Sequence, residues 1–541
     1  MVNLKKTNHV DIIIFLILLS FIVLYFYNLG VPSIWNPNEA FYAETPREMI
    51  EKKDFLTPYF NYEYRFHKPI LTYWLVLPWY YLFGLKEISA RMVSAISATG
   101  GVFLTYWLGK TVWNNYRGGL FSAVLLAAAV DYNSLARYAS TDMLLTALTT
   151  CSLVLFYKGY ISKKDHQQIL YLMVYAACGF ATLTKGPVGV VMPFLIISAF
   201  LLIKKDFQGL KNFISLKGIL IYAFIVLPWY LYMIYTYHNE FFSVVYKENV
   251  TRFTGEISGS ASPFYYIPVI LANFFPVSIF TIPAFVWFLR NIKKYEHAIF
   301  PFVWFSVILI FFSIAKSKLP AYIMSSLPAL SVVVGGWIHE VLDTEGKEKR
   351  IVLWLSSAIL LFIISGIFWF KTFLPDMNLY LIGIIVFLFF LSLFNIKKKI
   401  YYLSFIVSLT GMALFNLIFL SDILPQIEQY RHYKEIAHYV KLHEPDKRLP
   451  FYCYEGCQKN LSFYLERKIV NIKDKDTLTQ VLENENDIFL LLKKRIFDET
   501  YKGSDKKIIW QGLFYDKSES VFFQFLMDIK KKNIAEYVVI R

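Results

Sequence analysis

Charged residues are scarce in this sequence, and their scarcity excludes most soluble folds. Only 18% of the 541 residues are Asp, Glu, Lys or Arg, whereas 56% are hydrophobic. A soluble chain of this length needs more polar side chains than that to cover its surface. A lipid bilayer removes this need, because apolar side chains can face the acyl chains. The composition therefore predicts an integral membrane protein.

Cysteine and histidine are also rare, with four and nine residues respectively. Four Cys in so long a chain exclude a disulfide scaffold, and no spacing of His and Cys matches a zinc site. Cys453 and Cys457 are close neighbours, and the sequence fits a disulfide between them as well as two free thiols. We therefore expect no metal ligands, and the sequence contains no clear basis for a divalent metal cofactor.

The basic residues are distributed as in a membrane protein. The formal net charge is +15, which in a soluble chain would point first to nucleic acid. Here the Lys and Arg residues form short clusters between apolar runs, so membrane topology accounts for them better. We expect membrane lipids as partners and no nucleic acid.

Thirteen apolar runs are long enough to suggest membrane helices, since a spanning helix needs about 20 mostly apolar residues. The sequence predicts an α-helical polytopic membrane protein with about 13 transmembrane helices. The first run lacks a small-residue cleavage pattern and is predicted to be an anchor helix, not a signal peptide. The runs are 11–30, 89–112, 117–134, 142–160, 168–183, 187–203, 216–236, 264–289, 297–315, 320–338, 351–372, 377–395 and 400–421.

The positive-inside rule orients this bundle. If the N-terminus with Lys5 and Lys6 is cytoplasmic, strict alternation places every major basic cluster on the cytoplasmic side. An odd number of spans then places the C-terminus outside. The predicted topology therefore has a cytoplasmic N-terminus and a C-terminal domain on the outer side of the membrane.

Two domains are predicted from the change of composition near residue 425. Residues 1–424 form the transmembrane domain with outer loops at 31–88 and 237–263, and residues 425–541 form a soluble α/β domain. In the first outer loop, Asn38 to Lys52 is predicted to be an amphipathic helix on the membrane surface. The predicted strands are 449–454, 469–472, 488–492, 507–511 and 537–540, and the predicted helices are 429–442, 458–466 and 475–484.

Five cations on the predicted outer side depart from the positive-inside preference. Charges near the hydrocarbon region are costly, and they are therefore functional candidates. If their segments converge, they form a cationic pocket suited to a phosphate or pyrophosphate. The alternative for each one is a contact with lipid headgroups. The five are Lys68, Arg137, Lys185, Arg252 and Lys318.

Carboxylates on the same side are candidates for proton transfer or for orienting a substrate. Glu39 follows Asn38 in the first loop, and Asp142 opens a membrane helix. The alternative role for Asp142 is the N-cap of that helix. The alternative for Glu39, together with Glu44 and Glu48, is the solvated face of an amphipathic helix.

Seven motifs in order resemble the bacterial glycosyltransferases of the GT-C fold, especially the group of aminoarabinose transferases and protein mannosyltransferases. The resemblance covers about residues 10–330. Any one motif is weak evidence, whereas seven in family order are strong evidence. They are Trp35 to Glu44, Phe66 to Trp74, Glu87 to Arg91, Ala136 to Asp142, Leu183 to Pro187, Glu248 to Phe253 and Lys318 to Tyr322.

The resemblance implies an inverting transferase that moves a sugar from a polyprenyl-phosphate donor to a lipid or protein acceptor. Lys68, Arg252, Lys318 and Tyr322 would hold the departing lipid phosphate, and Asp142 with the Asn38–Glu39 pair would flank the sugar and the acceptor. Tyr42, Glu44 and Tyr73, which lie in the first two motifs, are counted with the substrate-binding residues, as are Arg137 and Lys185.

The first acidic residue of the family's Asp-Glu motif is Asn38 here, and an amide is not a general base. A phosphate acceptor is already an anion and needs no base, so Asn38 favours a lipid A-type or other glycolipid acceptor. Asn249 and His67 replace further family residues, which puts the relatives' metal site in doubt for this chain. The expected enzyme is a monomer.

Other functions also fit the sequence. The sugar is not defined, although 4-amino-4-deoxy-L-arabinose is one candidate, and a protein O-mannosyltransferase-like enzyme with a Ser or Thr acceptor is an alternative. A transporter of lipid-linked sugars would explain intramembrane charges, but it predicts inverted repeats that the sequence lacks. A receptor would need only one anchor helix, so a receptor function does not explain about 13 predicted membrane helices.

Overall fold

The fold was obtained as a computed structural model of the full chain. It describes residues 3–251, 262–344, 346, 348–374, 380–398, 400–447, 449–484, 487–500, 506–517, 519, 522–530 and 534–541. Helices dominate as far as residue 443, and a five-stranded sheet lies between residues 451 and 540. This confirms a polytopic α-helical membrane protein with a C-terminal α/β region.

The membrane helices follow the predicted apolar runs. In the described ranges, eight helices are long and apolar enough to span a bilayer, and two bent pairs bring the number to ten if each pair is one span. All thirteen predicted runs lie largely on helical backbone, while the count of thirteen spans stays a prediction. The eight are His9–Phe26, Glu87–Val112, Thr141–Tyr160, Leu216–Asn249, Glu296–Ile314, Pro320–Asp343, Glu348–Lys371 and Tyr401–Glu428.

The remaining helices of the bundle are shorter, bent or less apolar. The bent pairs turn by 70° and 114° between their halves, and in the second pair Pro276, which cannot donate a helical hydrogen bond, lies at the bend. The pairs are Tyr116–Ala128 with Val130–Ala136 and Pro263–Asn273 with Val277–Arg290. The other helices are Lys164–Lys185, Val188–Ile203, Phe207–Phe213 and Tyr380–Lys397.

The first outer loop folds into a compact layer. It contains the predicted helix, here called the loop helix, with the predicted bounds Asn38–Lys52. A two-stranded hairpin (β1, Tyr59–Phe60, and β2, Glu63–Tyr64) and the helix Leu71–Phe83 follow. The expectation of a solvated acidic face is wrong, because Glu39, Glu44 and Glu48 of the loop helix are fully buried.

A buried ion pair ties this layer to the bundle. The Arg91 guanidinium donates to both carboxylate oxygens of Glu39 at 2.7 Å. It also donates to the carbonyls of Leu29, Pro32 and Ser33. Arg91 therefore joins a membrane helix to the loop helix and to the chain that leaves the first membrane helix.

The C-terminal region is a mixed sheet with helices. Its strands β3 (Phe451–Tyr454), β4 (Ile469–Ile472), β5 (Phe489–Lys493), β6 (Ile508–Phe514) and β7 (Ala535–Ile540) have the order β4-β3-β5-β7-β6. The first three strands are parallel, and β7 is antiparallel to β5 and β6. The helices of this region are Tyr433–His443, Leu461–Leu465, Lys475–Asn484, Lys494–Thr500 and Phe522–Lys530.

All five predicted strands are present, with ends that differ by a few residues. The helices Lys494–Thr500 and Phe522–Lys530 and the β1–β2 hairpin were not predicted, because each is short: the helices have 7 and 9 residues, and the two strands have 2 residues each. Cys453 and Cys457 are free thiols. The division of the chain at residue 425 stays a prediction.

The sheet region docks on the first outer loop through buried polar contacts. Arg431 is fully buried and donates to both carboxylate oxygens of Glu519 at 2.7 and 2.8 Å. It also donates to the carbonyls of Ser33 and Ile34. Because buried polar groups require partners, these contacts fix the position of the soluble region above the loop.

We expect Arg91→Gln to unfold far more easily than the wild-type protein. The substitution leaves Glu39 buried without its partner, which costs about 3–5 kcal/mol in such pairs. Thermal unfolding of the detergent-solubilised protein measures the effect. The control is Arg495→Gln, which changes an arginine that is 85% exposed. An unfolding temperature of Arg91→Gln equal to that of the control would show that the pair is not structurally important.

Candidate active site

A cavity of about 910 Å³ lies where the first outer loop, the membrane helices and the sheet region meet. Its wall includes residues from the loop helix, the helices Thr141–Tyr160 and Val188–Ile203, and the segment after Ile314. The polar and aromatic residues of the wall include Asn38, Tyr42, Arg65, His67, Lys68, Tyr138, Ser140, Thr141, Asp142, Lys185, Glu248, Asn249, Ser317, Tyr322 and Lys459.

Two cations of the wall form ion pairs with carboxylates. Lys185 Nζ pairs with Asp142 Oδ1, and Lys68 Nζ pairs with Glu248 Oε2 at 2.8 Å. All four side chains are between 11% and 20% exposed. Such half-buried cations interact strongly with an anion, because the surrounding protein screens less than water does. The two pairs therefore place two ammonium groups, each beside a carboxylate, at the wall of the cavity.

Local sequence explains the position of Lys185. It ends the helix Lys164–Lys185, and Gly186 follows with φ +89°, a conformation that favours glycine. A Cβ at Gly186 would lie 3.1 Å from Oδ1 of Asn249. The turn lets the next helix start at Val188 and leaves the Lys185 ammonium 5.2 Å from the centre of the Tyr322 ring.

Asp142 is not the N-cap of its helix. The cap is Ser140, whose Oγ accepts a hydrogen bond from the backbone N–H of Asp142 at 3.2 Å. The Asp142 carboxylate is thereby left for Lys185 and the cavity. The N-cap alternative is therefore wrong.

Asn38 and Glu39 point to different places. Asn38 lines the cavity, whereas Glu39 is fully buried and outside the cavity wall. Both Glu39 oxygens accept bonds from Arg91, and the backbone N–H groups of Trp35 and Ala139 donate to them at 2.8 Å. Glu39 has no free position for a substrate proton, and the geometry makes it a positioning residue and not a catalytic one.

The predicted five-cation pocket is only partly assembled. Lys68 and Lys185 line the cavity, but Arg137 does not, because it donates to the carbonyls of Leu24 and Tyr25 at 2.6 and 3.2 Å. Lys318 donates to the carbonyl of Ala315, next to wall residues. Arg252 lies outside the described residues.

The predicted aromatic residues occupy two layers. Tyr42 and Tyr322 line the cavity, and Tyr73 lies behind Tyr42 with ring centres 6.1 Å apart. Burial raises the pKa of Tyr42, so its hydroxyl stays neutral and can donate a hydrogen bond. Glu44 is not on the wall, because both of its oxygens bind Arg47 at 2.8 Å.

Sequence reasoning missed two cations of the wall, Arg65 and Lys459. Arg65 lies three residues before Lys68 in the first outer loop, so the criterion that selects Lys68, a cation on the outer side, applies to it as well. Lys459 belongs to the sheet region, and its sequence neighbourhood carries no signal. Its place follows from tertiary contacts, since its backbone N–H donates to Oδ1 of Asn36 at 2.8 Å.

The described residues do not fit a metal centre. Over the described ranges, no group of three His, Cys, Asp or Glu side chains is placed to hold a metal ion. The Asn249 amide donates to the carbonyl of Val245 at 2.8 Å, and the Glu248 carboxylate binds Lys68. We therefore derive no step through a metal ion.

Together, the helical bundle and its cationic cavity are the features of a membrane protein that binds an anionic ligand. Residues 11–241 match the family model for dolichyl-phosphate-mannose-protein mannosyltransferases. An uncharacterized protein of Aquifex aeolicus is 31% identical over 527 residues, which are 96% of this chain and 97% of that protein. The chain belongs to the GT-C family of membrane glycosyltransferases, in the group that includes the aminoarabinose transferases, and uses a lipid-linked sugar donor.

More distant relatives agree with this assignment. An undecaprenyl phosphate-alpha-4-amino-4-deoxy-L-arabinose arabinosyl transferase of Pseudomonas fluorescens is 28% identical over 336 residues, 62% of this chain and 61% of that protein. The crystal structure of ArnT from Cupriavidus metallidurans bound to undecaprenyl phosphate superposes with a TM-score of 0.77 at 22% identity, covering 97% of each chain. This similarity shows the shared fold, including the C-terminal region.

We expect the stability of the protein to depend on pH through Glu48. Burial, and next the charge of Glu44, raise the pKa of Glu48 from 4.5 to about 8. The folded state therefore binds a proton that the unfolded state releases, and this contribution to stability is lost as pH rises from about 5 to about 8. Glu48→Gln keeps the uncharged form and should flatten the pH dependence.

Thermal unfolding across this pH range is the measurement. Glu483→Gln, a change at an exposed carboxylate of the sheet region, is the matched control and should keep the wild-type dependence. If Glu48→Gln loses as much stability on alkalinisation as the wild type does, the assignment to Glu48 is wrong.

Proposed function

We propose that this enzyme transfers 4-amino-4-deoxy-L-arabinose from undecaprenyl phosphate to a phosphate of lipid A or a similar glycolipid. The observation that carries the proposal is the cavity with the Lys68–Glu248 and Lys185–Asp142 pairs beside Asn38. Relatives that align with 60–66% of this chain bear names that state this sugar and this donor lipid.

The donor phosphate would bind at Lys68 and Lys185. During transfer, the acceptor oxygen forms a bond to the anomeric carbon while the bond from that carbon to the phosphate oxygen breaks. The electron pair stays with the lipid phosphate, whose negative charge grows as it leaves. Two ammonium groups that are already in place stabilise that charge, so the site does not have to rearrange during the reaction. Such preorganised stabilisation of charge is a common source of large rate effects. Tyr322 lies beside Lys185 and can donate to the same phosphate.

Asp142 and Asn38 would orient the reactants. Asp142 keeps Lys185 in the cavity by pairing with it. The Asn38 amide can donate hydrogen bonds to hydroxyl or amino groups of the sugar and accept hydrogen bonds from them, but it cannot remove a proton. An acceptor phosphate is already ionised and needs no base, and this chemistry fits a wall on which Asp142 and Glu248 are each bound to a lysine.

A protein acceptor is the second candidate. The observation in its favour is the match of residues 11–241 to the family model of dolichyl-phosphate-mannose-protein mannosyltransferases. A Ser or Thr hydroxyl must lose its proton during transfer, and Asp142 is the carboxylate of the cavity wall that could take it. Asn38 in place of an acid makes this acceptor the less favoured of the two.

The proposed setting is the bacterial inner membrane, with the cavity and the sheet region on the periplasmic side and the N-terminus in the cytoplasm. The charge distribution of the sequence supports this orientation. We also propose that the enzyme acts as a monomer, with residues 1–424 as the membrane domain and 425–541 as the soluble domain.

Lys68→Gln should lower sugar transfer about 100-fold while the protein remains folded. Removing one donor that stabilises developing charge costs roughly 10²–10³ in rate. Transfer is measured with purified protein and undecaprenyl phosphate-linked aminoarabinose, and folding by thermal unfolding and gel filtration. Lys475→Gln, at an exposed lysine of the sheet region, is the control. Wild-type turnover in a folded Lys68→Gln protein would contradict the role of Lys68.

Mass spectrometry separates the two acceptors. Cells that express the gene should carry lipid A with an added aminoarabinose, and cells without it should lack that mass. Envelope proteins should show no difference in glycosylation. Sugar on Ser or Thr residues, together with unchanged lipid A, would replace the proposal with the protein-acceptor function.

A further inference from the structure

The cations of the cavity wall fall into two kinds. Lys68 and Lys185 each bind a carboxylate. Arg65 and Lys459 form no salt bridge with any carboxylate in the part of the chain that the structure describes. Glu63 also lines the wall, and its carboxylate pairs with Lys468 at 3.8 Å. Arg65 and Lys459 thus leave positive charge uncompensated at the cavity.

Both side chains lie against the same aromatic ring. The guanidinium carbon of Arg65 is 3.7 Å from the centre of the Phe41 ring, and Nζ of Lys459 is 4.5 Å from it. Cation–π contact supports each of them, but it neutralises neither charge. Desolvation and, to a lesser extent, the charge of Arg65 lower the pKa of Lys459.

Burying the Arg65 guanidinium at this position costs free energy. It is only 9% exposed, and its Nε is buried without a hydrogen-bond partner. Its polar neighbour is the neutral hydroxyl of Tyr73. A buried donor without an acceptor costs free energy that a bound anion would recover. An anion between Arg65 and Lys459 would complete their hydrogen bonds and remove the repulsion.

The fold holds Lys459 at the cavity. Its backbone N–H donates to Oδ1 of Asn36, and the neighbouring Asn460 donates through Nδ2 to the carbonyl of Ile34 at 2.7 Å. Gln458 accepts a hydrogen bond from Nδ2 of Asn36. Gln458, Lys459 and Asn460 are therefore all hydrogen-bonded to the segment just before the loop helix. The side chain of Lys459 reaches Phe41.

We propose that Arg65, Phe41 and Lys459 form a second anion subsite, which binds an anionic group of the acceptor. This inference rests on the proposed function for the acceptor's presence at the cavity. The prenyl tail of the donor stays in the bilayer, so its phosphate belongs near Lys185 at the end of a membrane helix. Arg65 and Lys459 come from the outer loop and the soluble region, where the polar headgroup of an acceptor enters. The soluble region is then part of the acceptor site.

Binding to full-length protein in nanodiscs tests the subsite, with diphosphoryl lipid A, fully dephosphorylated lipid A and undecaprenyl phosphate as probes. Lys459→Gln should weaken binding of diphosphoryl lipid A about tenfold, the effect of losing one charge-assisted hydrogen bond. Binding of undecaprenyl phosphate should stay unchanged. Lys459→Arg should restore lipid A binding, and Lys475→Gln is the matched control on the same domain.

Lys459 is exposed, so its variants should fold. Because Arg65 is buried, Arg65→Gln is compared with Arg65→Lys, which keeps the charge. Wild-type protein should prefer diphosphoryl over dephosphorylated lipid A, and Lys459→Gln should lose most of that preference. Unchanged lipid A binding in Lys459→Gln, or weaker binding of undecaprenyl phosphate instead, would overturn the subsite.

The proposed function is judged separately, by sugar transfer from the wild-type enzyme. The binding measurement uses no sugar donor, so its outcome stands whether or not lipid A receives a sugar. Wild-type transfer with unchanged binding in Lys459→Gln removes the subsite and leaves the proposed function in place. If the wild-type enzyme transfers no sugar but lipid A binding depends on Lys459, the proposed function is wrong and the subsite stands.

Discussion

The ion pair of Arg91 and Glu39 is the contact on which the outer half of the molecule depends. Arg91 is 1% exposed and Glu39 is fully buried. Between them they bind the chain leaving the first membrane helix, the start of the loop helix and the backbone of Ala139, three residues before Asp142. One pair thereby sets Asn38 on the loop helix and Asp142 on a membrane helix at the same cavity.

Such a pair is expensive, because two charges leave water, and it is stable only when every oxygen and N–H group has a partner. Glu39 and Arg91 meet that condition with five backbone groups in addition to each other. Arg431 and Glu519 repeat the arrangement where the sheet region joins the loop. Fully paired networks fix the scaffold, while the cavity keeps cations that can still bind an anion.

Local patterns were sufficient for much of the fold. Apolar runs predicted the membrane helices, and the bounds of the loop helix, Asn38–Lys52, were also predicted. Alternating and apolar segments predicted all five strands of the C-terminal sheet. These features depend on neighbouring residues, and the sequence displays them directly.

The roles of single charged residues depended on distant partners and were predicted less well. The motif around Glu39 predicts a catalytic carboxylate, because it does not reveal the partner Arg91, which lies 52 positions away. Arg137 turns to the end of the first membrane helix. Lys459 reaches Phe41 only after the sheet region docks. Spacing along the chain does not encode such contacts, whereas Lys68, Lys185 and Asp142 could be found because charge is rare in an apolar sequence.

A structure of the protein with undecaprenyl phosphate in a lipid nanodisc would test the central claim most directly. We expect phosphate density inside the cavity, within hydrogen-bond distance of Nζ of both Lys68 and Lys185, with the prenyl chain leading into the bilayer. Lipid phosphate density outside the cavity, with the Lys68–Glu248 and Lys185–Asp142 pairs unchanged, would show that these lysines do not bind the donor phosphate.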